Sequence, residues 1–579
     1  KPRGYGPAML VPRCAVTAAA GRRALGRQTG GGRSASSLGN HAVVVNTLKA
    51  DQIIRGVLVG GIDEEGRGQV EVYVRRDKQL FQFAFNRAIP GEKLHLQVGS
   101  AKHDRFKKKE AGRYRLKIHE RGSASPDEVA PRCEHFSERC GGCTFQNLAY
   151  DAQLREKHLL LERRLQEYGL DSAVLRPPLA SPSEFGFHGR TEFRFFQRNG
   201  LQLGLHPAGS PVPVPISRCE LQPSVSQSAF EATLAAVRAD KDAQAFDERT
   251  GRGWLRGATF RAGLRAGGGD GLAVLVTLAT APGTPEEALR RIAARIRQSC
   301  PDVLGVLWSL EEGEPELRGP GWRSGTGKPQ VLLAGEARLE LSAGGMRVEA
   351  SPEASVRPNL LLGDEICKVV ESLAEVQPGD TVWDAFCGQG TLSLPLLARC
   401  RRLIALDRSE PALKALKRNA GAHGLGERLT VVRMDLGRLS ELCSVVAGLP
   451  SRPAEGDSED SDAEEDDDGA AQVPAPAAPA AADALPRPDV LLCDPGRNGL
   501  PKAFRQILYS TRVRTLVYVG MGRPLLRDCA LLQRRGYELR AMVPFDSHPH
   551  SPRLEVAVQF RWRGVDPSQS DSDGEGVAR

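Results

Sequence analysis

Aromatic residues are only 5% of the 579-residue chain, and no apolar run approaches the roughly 18 residues needed to cross a bilayer. The longest such run, Leu272–Ala281, is too short, so a membrane-spanning helix and a membrane partner are excluded. Twelve cysteines are too sparse for a disulfide framework, and the composition is not that of a collagen-like chain. Acid is missing from one end: residues 1–50 hold eight Lys or Arg and no Asp or Glu. Such an acid-poor Arg, Ala, Gly and Ser segment reads as an organelle transit peptide, for chloroplast or mitochondrion. The alternative is a disordered basic tail or a nucleic-acid arm, with the cytoplasm or nucleus as the location.

What is present is ordinary globular material, 40% hydrophobic and 26% charged, long enough for about three to five domains. The net charge is +8, although ten acids crowd into Glu455–Asp468. Without that run the folded remainder is basic, which suits a polyanionic partner such as RNA. Five parts are expected: a disordered leader at 1–50, a barrel at 51–120, a Cys-bearing central domain at 121–345, a helix-and-strand domain at 346–562, and a disordered tail at 563–579. The chain is expected to be a monomer.

Residues 53–118 contain the alternating runs Ile53–Val59, Gln69–Val74, Phe81–Phe85 and Lys93–Val98 between Gly and Pro turns. Closely spaced short strands predict a small barrel of OB type. Its basic edge, Lys102–Lys117, carries Phe106 and Tyr114 and can follow an RNA backbone. A helix is predicted over Ala152–Gln166 and one more over Pro285–Ile296, within a mixed α+β region.

From about Asn359 helices and strands alternate. The strands expected are Thr381–Ala385, Arg402–Leu406, Leu429–Met434, Val490–Cys493, Thr515–Val519, Glu538–Val543 and Leu554–Phe560. Helices fit at Leu360–Ala374, Leu392–Arg399, Pro411–His423 and Pro524–Arg534. This pattern predicts an α/β class, a doubly wound sheet covered on both faces. The acidic and Ala/Pro stretch 451–488 cannot bury enough apolar surface to fold and is expected as an insertion.

Asp384-Ala-Phe386-Cys-Gly388-Gln-Gly390-Thr391 runs from a predicted strand through a glycine loop into a helix. Glycines there let a ligand approach backbone N–H groups. Asp407 closes the next strand, where an acid accepts ribose hydroxyls, and Asp435 closes the one after, where it can bracket an adenine. One acid before the loop and one after the second strand fit S-adenosylmethionine better than a dinucleotide.

Cys133, Cys140 and Cys143 lie within eleven residues, and Cys219 follows later. Thiolates so spaced suit an iron–sulfur cluster or a tetrahedral zinc, and spacing alone does not choose.

Over residues 51–562 these features together resemble the RNA uracil-5 methyltransferases, which make 5-methyluridine in ribosomal or transfer RNA. The resemblance implies a class I methyltransferase sheet, an N-terminal TRAM-like barrel and S-adenosylmethionine as cofactor. It also implies a [4Fe–4S] cluster on Cys133, Cys140, Cys143 and Cys219. Ser351-Pro-x5-Arg357-Pro-Asn359 resembles the segment before the catalytic domain, with Arg357 where Gln is common. Phe386, Gly388, Thr391, Asp407, Asp435 and Asp494 fall on cofactor positions. Asp494-Pro-Gly496-Arg497-Asn-Gly resembles the family's Asp-Pro-Pro-Arg-x-Gly. Asp546-x-x-Pro-His550-x4-Glu555 resembles the motif whose Glu is the general base.

The resemblance departs at one decisive place. The family's nucleophilic Cys follows a Tyr-Val-Ser segment; here Tyr518-Val-Gly leads to Met521. A thioether cannot add to carbon 6 of uracil and leave again as a thiolate does. Three readings follow: an active enzyme with Cys493 or Cys529 as substitute thiol, a catalytically silent RNA-binding homologue, or transfer to an atom that needs no covalent adduct.

Overall fold

A computed structural model describes residues 42–99, 114–137, 140–207, 210, 212–269, 271–311, 330–438 and 485–564. The leader up to residue 41, most of Lys102–Lys117, the acidic run and the tail from residue 565 lie outside the described residues.

Alternating β-branched residues build the first domain. Gly68–Val74 pairs with Gln79–Phe85, Gly61–Ile62 and Val43–Val45, while Lys93–Gly99 joins Ile53–Leu58 to Arg115–Arg121. The two sheets share one core that includes Ile54, Val57, Val70, Val72, Leu94 and Leu96. The expected boundary at residue 50 is corrected here. Val43, Val44 and Val45 pair with Val72, Tyr73 and Val74, and Leu48 is in the core.

The central domain is a nine-stranded sheet around Leu255–Arg265 and Leu272–Thr280. The apolar run that is too short for a membrane is thus an interior strand, buried on both sides. Two helices, Ser224–Arg238 and Glu286–Ser299, cover one side with Phe230, Leu289 and Ile292. The first of these is not in the sequence expectation. Its Ser- and Ala-rich segment shows little contrast between faces. The hairpin Leu339–Ala343 and Met346–Ala350 turns at Gly344 and Gly345, which both have positive φ, and pairs with Arg265 through Leu339. The boundary expected at 345/346 therefore moves past Ala350.

The last domain has seven strands: β1 (Thr381–Ala385), β2 (Arg402–Asp407), β3 (Leu429–Arg433), β4 (Val490–Gly496), β5 (Thr515–Met521), β6 (Tyr537–Phe545) and β7 (Glu555–Trp562). Their spatial order is β3-β2-β1-β4-β5-β7-β6. The first five run parallel, and β7 lies antiparallel to both β5 and β6. Successive residues of β1 feed opposite layers: Val382 packs with Ile366 and Leu394 on one side, Trp383 with Phe504 and Leu525 on the other. Burial on both faces explains why these strands read as continuous apolar runs. The strand order reverses between β1 and β4, and there the crevice outside the strand ends is the expected ligand site.

The helix expected over Leu360–Ala374 begins as a 3-10 turn, Leu360–Leu362, which the Asn359 side chain caps by accepting from the Leu361 N–H at 2.9 Å; the α-helix proper is Gly363–Ala374. Helix Lys502–Thr511 was not anticipated. No helix among the described residues is long and apolar enough to cross a membrane.

Candidate active site

The chain leaves β1 through backbone that bends away from ordinary space. Phe386, Gly388 and Gly390 all have φ in the left-handed region, at 63°, 55° and 86°. Gly390 combines this backbone with close packing: a Cβ there would stand 2.2 Å from Leu416 Cδ1, which favours glycine. Asp407, at the end of β2, fixes this loop: one carboxylate oxygen accepts the Gly388 N–H at 2.9 Å and the other the Ser409 N–H at 2.8 Å. Asp435, after β3, accepts the Gly437 N–H at 2.9 Å.

These residues line a cavity of about 820 Å³ at the strand ends. Arg357, Phe386, Gly388, Thr391, Asp407, Asp435, Asp494 and Glu555 all lie on its wall, so the structure brings together every expected cofactor residue and the expected base. The cavity continues onto the central domain, where Leu264, Leu272 and Leu341 supply an apolar side that local patterning did not single out.

Arg357 sits between two acids. Its guanidinium donates to Glu555 and, at 2.6 Å, to Asp494. The second Glu555 oxygen accepts from Ser547 Oγ at 2.9 Å. Ser547 escaped the sequence reading, because nothing local marks a hydroxyl as the partner of a Glu eight residues on. Met521, the last residue of β5, pairs directly with Glu555 across the ladder to β7. Residues so opposed project to the same face, so positions 521 and 555 are neighbours.

The two substitute thiols are elsewhere. Cys493 and Cys529 are fully buried, and burial first, then nearby acids, pushes both thiols well above the usual range. Cys367 and Cys387 do reach the cavity wall, but burial raises Cys367 to about 12 and Cys387 well above its ordinary value. Reactive thiols carry the opposite shift.

Asp384, inside β1, is buried, and that burial raises its carboxyl to about 8 although Ser393 Oγ donates to it. The folded state thus keeps a proton that the unfolded chain releases near pH 4. Stability from this group is full below that pH and falls as pH rises toward about 8. Asp384→Asn is expected to remove this part of the slope, measured as denaturant midpoints between pH 5 and 8: the variant should gain on the parent as pH rises.

The segment before β7 is anchored from far away. Lys157 Nζ, on helix Tyr150–Glu167, pairs with Asp546 at 2.7 Å, both side chains fully buried, and also donates to the His548 carbonyl at 3.1 Å. The His550 N–H donates to Gln153 Oε1 at 2.9 Å, and its carbonyl accepts the Thr144 N–H at 2.8 Å. His550 is buried and His548 half-buried, and both belong to this anchored segment.

Thr144 follows the cysteine group. Cys133, Cys140, Cys143 and Cys219 are half-buried free cysteines. Burial and then the charge of the other three raise the Cys143 thiol, so all four lie in one neighbourhood. Gln146 ties the group: its Nε2 donates to Cys143 Sγ at 3.2 Å and its Oε1 accepts from the Cys133 N–H at 3.1 Å. The expected metal set is not assembled, however. Among the described residues no three His, Cys, Asp or Glu side chains are arranged to hold a metal ion.

No family model matches the chain. It is 27% identical over 495 residues to an uncharacterized RNA methyltransferase of Nitratidesulfovibrio vulgaris, covering 84% of this chain and 92% of that one. An uncharacterized RNA methyltransferase of Listeria innocua is 24% identical over 488 residues, covering 82% and 92%. Among solved structures, the Pyrococcus abyssi tRNA (uracil-54, C5)-methyltransferase in complex with S-adenosyl-L-homocysteine matches with a TM-score of 0.59 at 17% identity, over 88% of this chain and 100% of that one. A likeness of that extent assigns the fold: a doubly wound, mostly parallel sheet preceded by an N-terminal β domain and a central α+β domain.

Proposed function

We propose that the protein is an S-adenosylmethionine-dependent RNA methyltransferase acting on a uridine of a transfer or ribosomal RNA. The observation that carries this is the single cavity of about 820 Å³ in which the glycine loop, Asp407, Asp435, Asp494 and Glu555 meet. The naming of the relatives as RNA methyltransferases supports the enzyme class.

The cavity suits the donor. The positive φ of the loop residues bends the backbone around the cavity, and a Cβ at Gly388 would meet nothing within 4 Å, so the loop leaves room for a ligand to approach closely. Asp407 would take the ribose hydroxyls, Asp435 the adenine side, and Phe386 the apolar contact. When bound, S-adenosylmethionine supplies a methyl group activated on a sulfonium. Glu555 stands ready to accept a proton, oriented by Arg357 and Ser547. A target base must leave its stack to enter, and the leucines of the central domain give it an apolar side to rest on.

Carbon 5 is the acceptor that the resemblance implies. Met521 favours a second reading, an RNA-binding protein that holds the donor without transferring its methyl group to carbon 5.

The four cysteines are proposed to hold a [4Fe–4S] cluster, with zinc as the alternative. An all-sulfur donor set supports this, as do the backbone N–H groups of His135 and Phe136 that approach Cys133 and those of Leu221 and Gln222 that approach Cys219. The organellar address rests on the composition of residues 1–50 alone.

One preparation tests these points. Anaerobically purified protein is expected to contain iron and acid-labile sulfide and to transfer labelled methyl from the donor to tRNA or rRNA transcripts. Protein that binds neither donor nor RNA refutes the enzyme reading, and a colourless, iron-free preparation refutes the cluster.

A further inference from the structure

Carbon 5 of uracil is a weak nucleophile. It attacks a sulfonium methyl only after another nucleophile adds to carbon 6 and makes the ring an enolate. The candidate site lacks the group for that addition. Position 521, opposite Glu555, is a thioether with no proton to lose. Among the described residues the cysteines on the cavity wall, Cys367 and Cys387, are held as thiols, and Cys493 and Cys529 are sealed in the core.

What the site keeps is a carboxylate held beside a guanidinium. That pair suits a different acceptor: a ring N–H flanked by carbonyl groups. Such a nitrogen needs no adduct, only a base for its proton and a cation to steady the charge that spreads onto the carbonyl oxygens. Arg357, spanning Glu555 and Asp494, places a fixed planar cation there.

We propose that the methyl acceptor at this site is a ring nitrogen, N3 of a uridine, with Glu555 as proton acceptor and Arg357 as the charge-stabilising group. The proposal rests on the reading of the cavity as a site for donor and uridine. In the step, the N3–H proton passes to a Glu555 carboxylate oxygen. The nitrogen lone pair forms the N–CH3 bond, and the methyl–sulfur bond breaks with its electron pair going to sulfur. The sulfonium becomes a neutral thioether, and the carboxylate becomes a carboxylic acid that returns its proton to water.

The test uses full-length protein with the donor and three tRNA transcripts: unmodified, tritiated at uridine carbon 5, and containing 5-fluorouridine. The fluorinated base traps any adduct at carbon 6, because fluorine cannot leave as a proton does. The parent protein is expected to give no denaturation-stable adduct, background tritium release, and 3-methyluridine on nucleoside digestion. Met521→Cys sits on extended backbone, φ −151° and ψ 155°, which any residue adopts, and is expected to form the adduct. Unchanged donor affinity in the variant shows that it is folded. Tritium release, 5-methyluridine or a trapped adduct with the parent protein overturns the proposal. So does an adduct-free Met521→Cys, since the base would then not lie against position 521. Donor and RNA binding with no methylated nucleoside overturns it in favour of the silent reading. Loss of donor binding altogether instead defeats the broader functional reading on which it stands.

Discussion

Lys157→Ala is expected to lower stability by about 3–5 kcal/mol, the cost of leaving a buried charge without its partner. Lys157 and Asp546 are both fully buried and 2.7 Å apart. Burial pulls the Lys157 ammonium below its usual range while the Asp546 carboxylate opposes this, so the pair holds only as long as both members stay. The urea midpoint of the full-length protein reads the loss. Replacing both partners, as Lys157→Met with Asp546→Leu, should recover most of it, because an apolar pair carries no desolvation cost. A double variant no more stable than Lys157→Ala would mean that the helix is held by something other than this pair. The single variant should also lose methyl transfer, since Ser547, next to Asp546, holds Glu555.

Glu555→Gln is expected to reduce methyl transfer about 10²–10⁴-fold, the range for losing a positioned acid–base group. The amide cannot accept the proton, and it weakens the ion pair with Arg357. Donor affinity should hold, because the glycine loop after β1, Asp407 at the end of β2 and Asp435 after β3, which would grip the adenosine, make no bond to Glu555. Equilibrium binding of the donor beside single-turnover methylation separates the two effects. Equal losses in both would assign Glu555 to donor binding instead. The size of the rate loss tests the role of Glu555 whether the acceptor is carbon 5 or the ring nitrogen, since either proposed route would pass a proton to this carboxylate.

Arg357 shows how one substitution acquires meaning only in three dimensions. In the sequence it is an Arg where the resembling family has Gln. In the fold it bridges Glu555 and Asp494, which lie 198 and 137 residues away. Met521 is similar. As a residue it is a missing nucleophile; in the β5–β7 ladder it is the direct neighbour of the carboxylate.

The local parts are legible in the order of residues. Strands of the catalytic sheet are buried on both faces, so their apolar runs mark them without help from neighbours, and β1 falls on the same residues in both readings. The glycine loop and the acids that follow β2 and β3 were legible for the same reason: a tight turn and a strand end are decided within a few residues. The missed helices, Ser224–Arg238 and Lys502–Thr511, carry no strong local start or stop beyond a preceding proline, and packing decides them. The rest depends on contacts between distant segments: the early start of the N-terminal β domain, the hairpin given to the central sheet, the Lys157–Asp546 tie across 389 residues, and the Arg357 fork. Periodicity records which face of an element is buried, but not which distant element buries it, and the candidate chemistry lies where such distant elements meet.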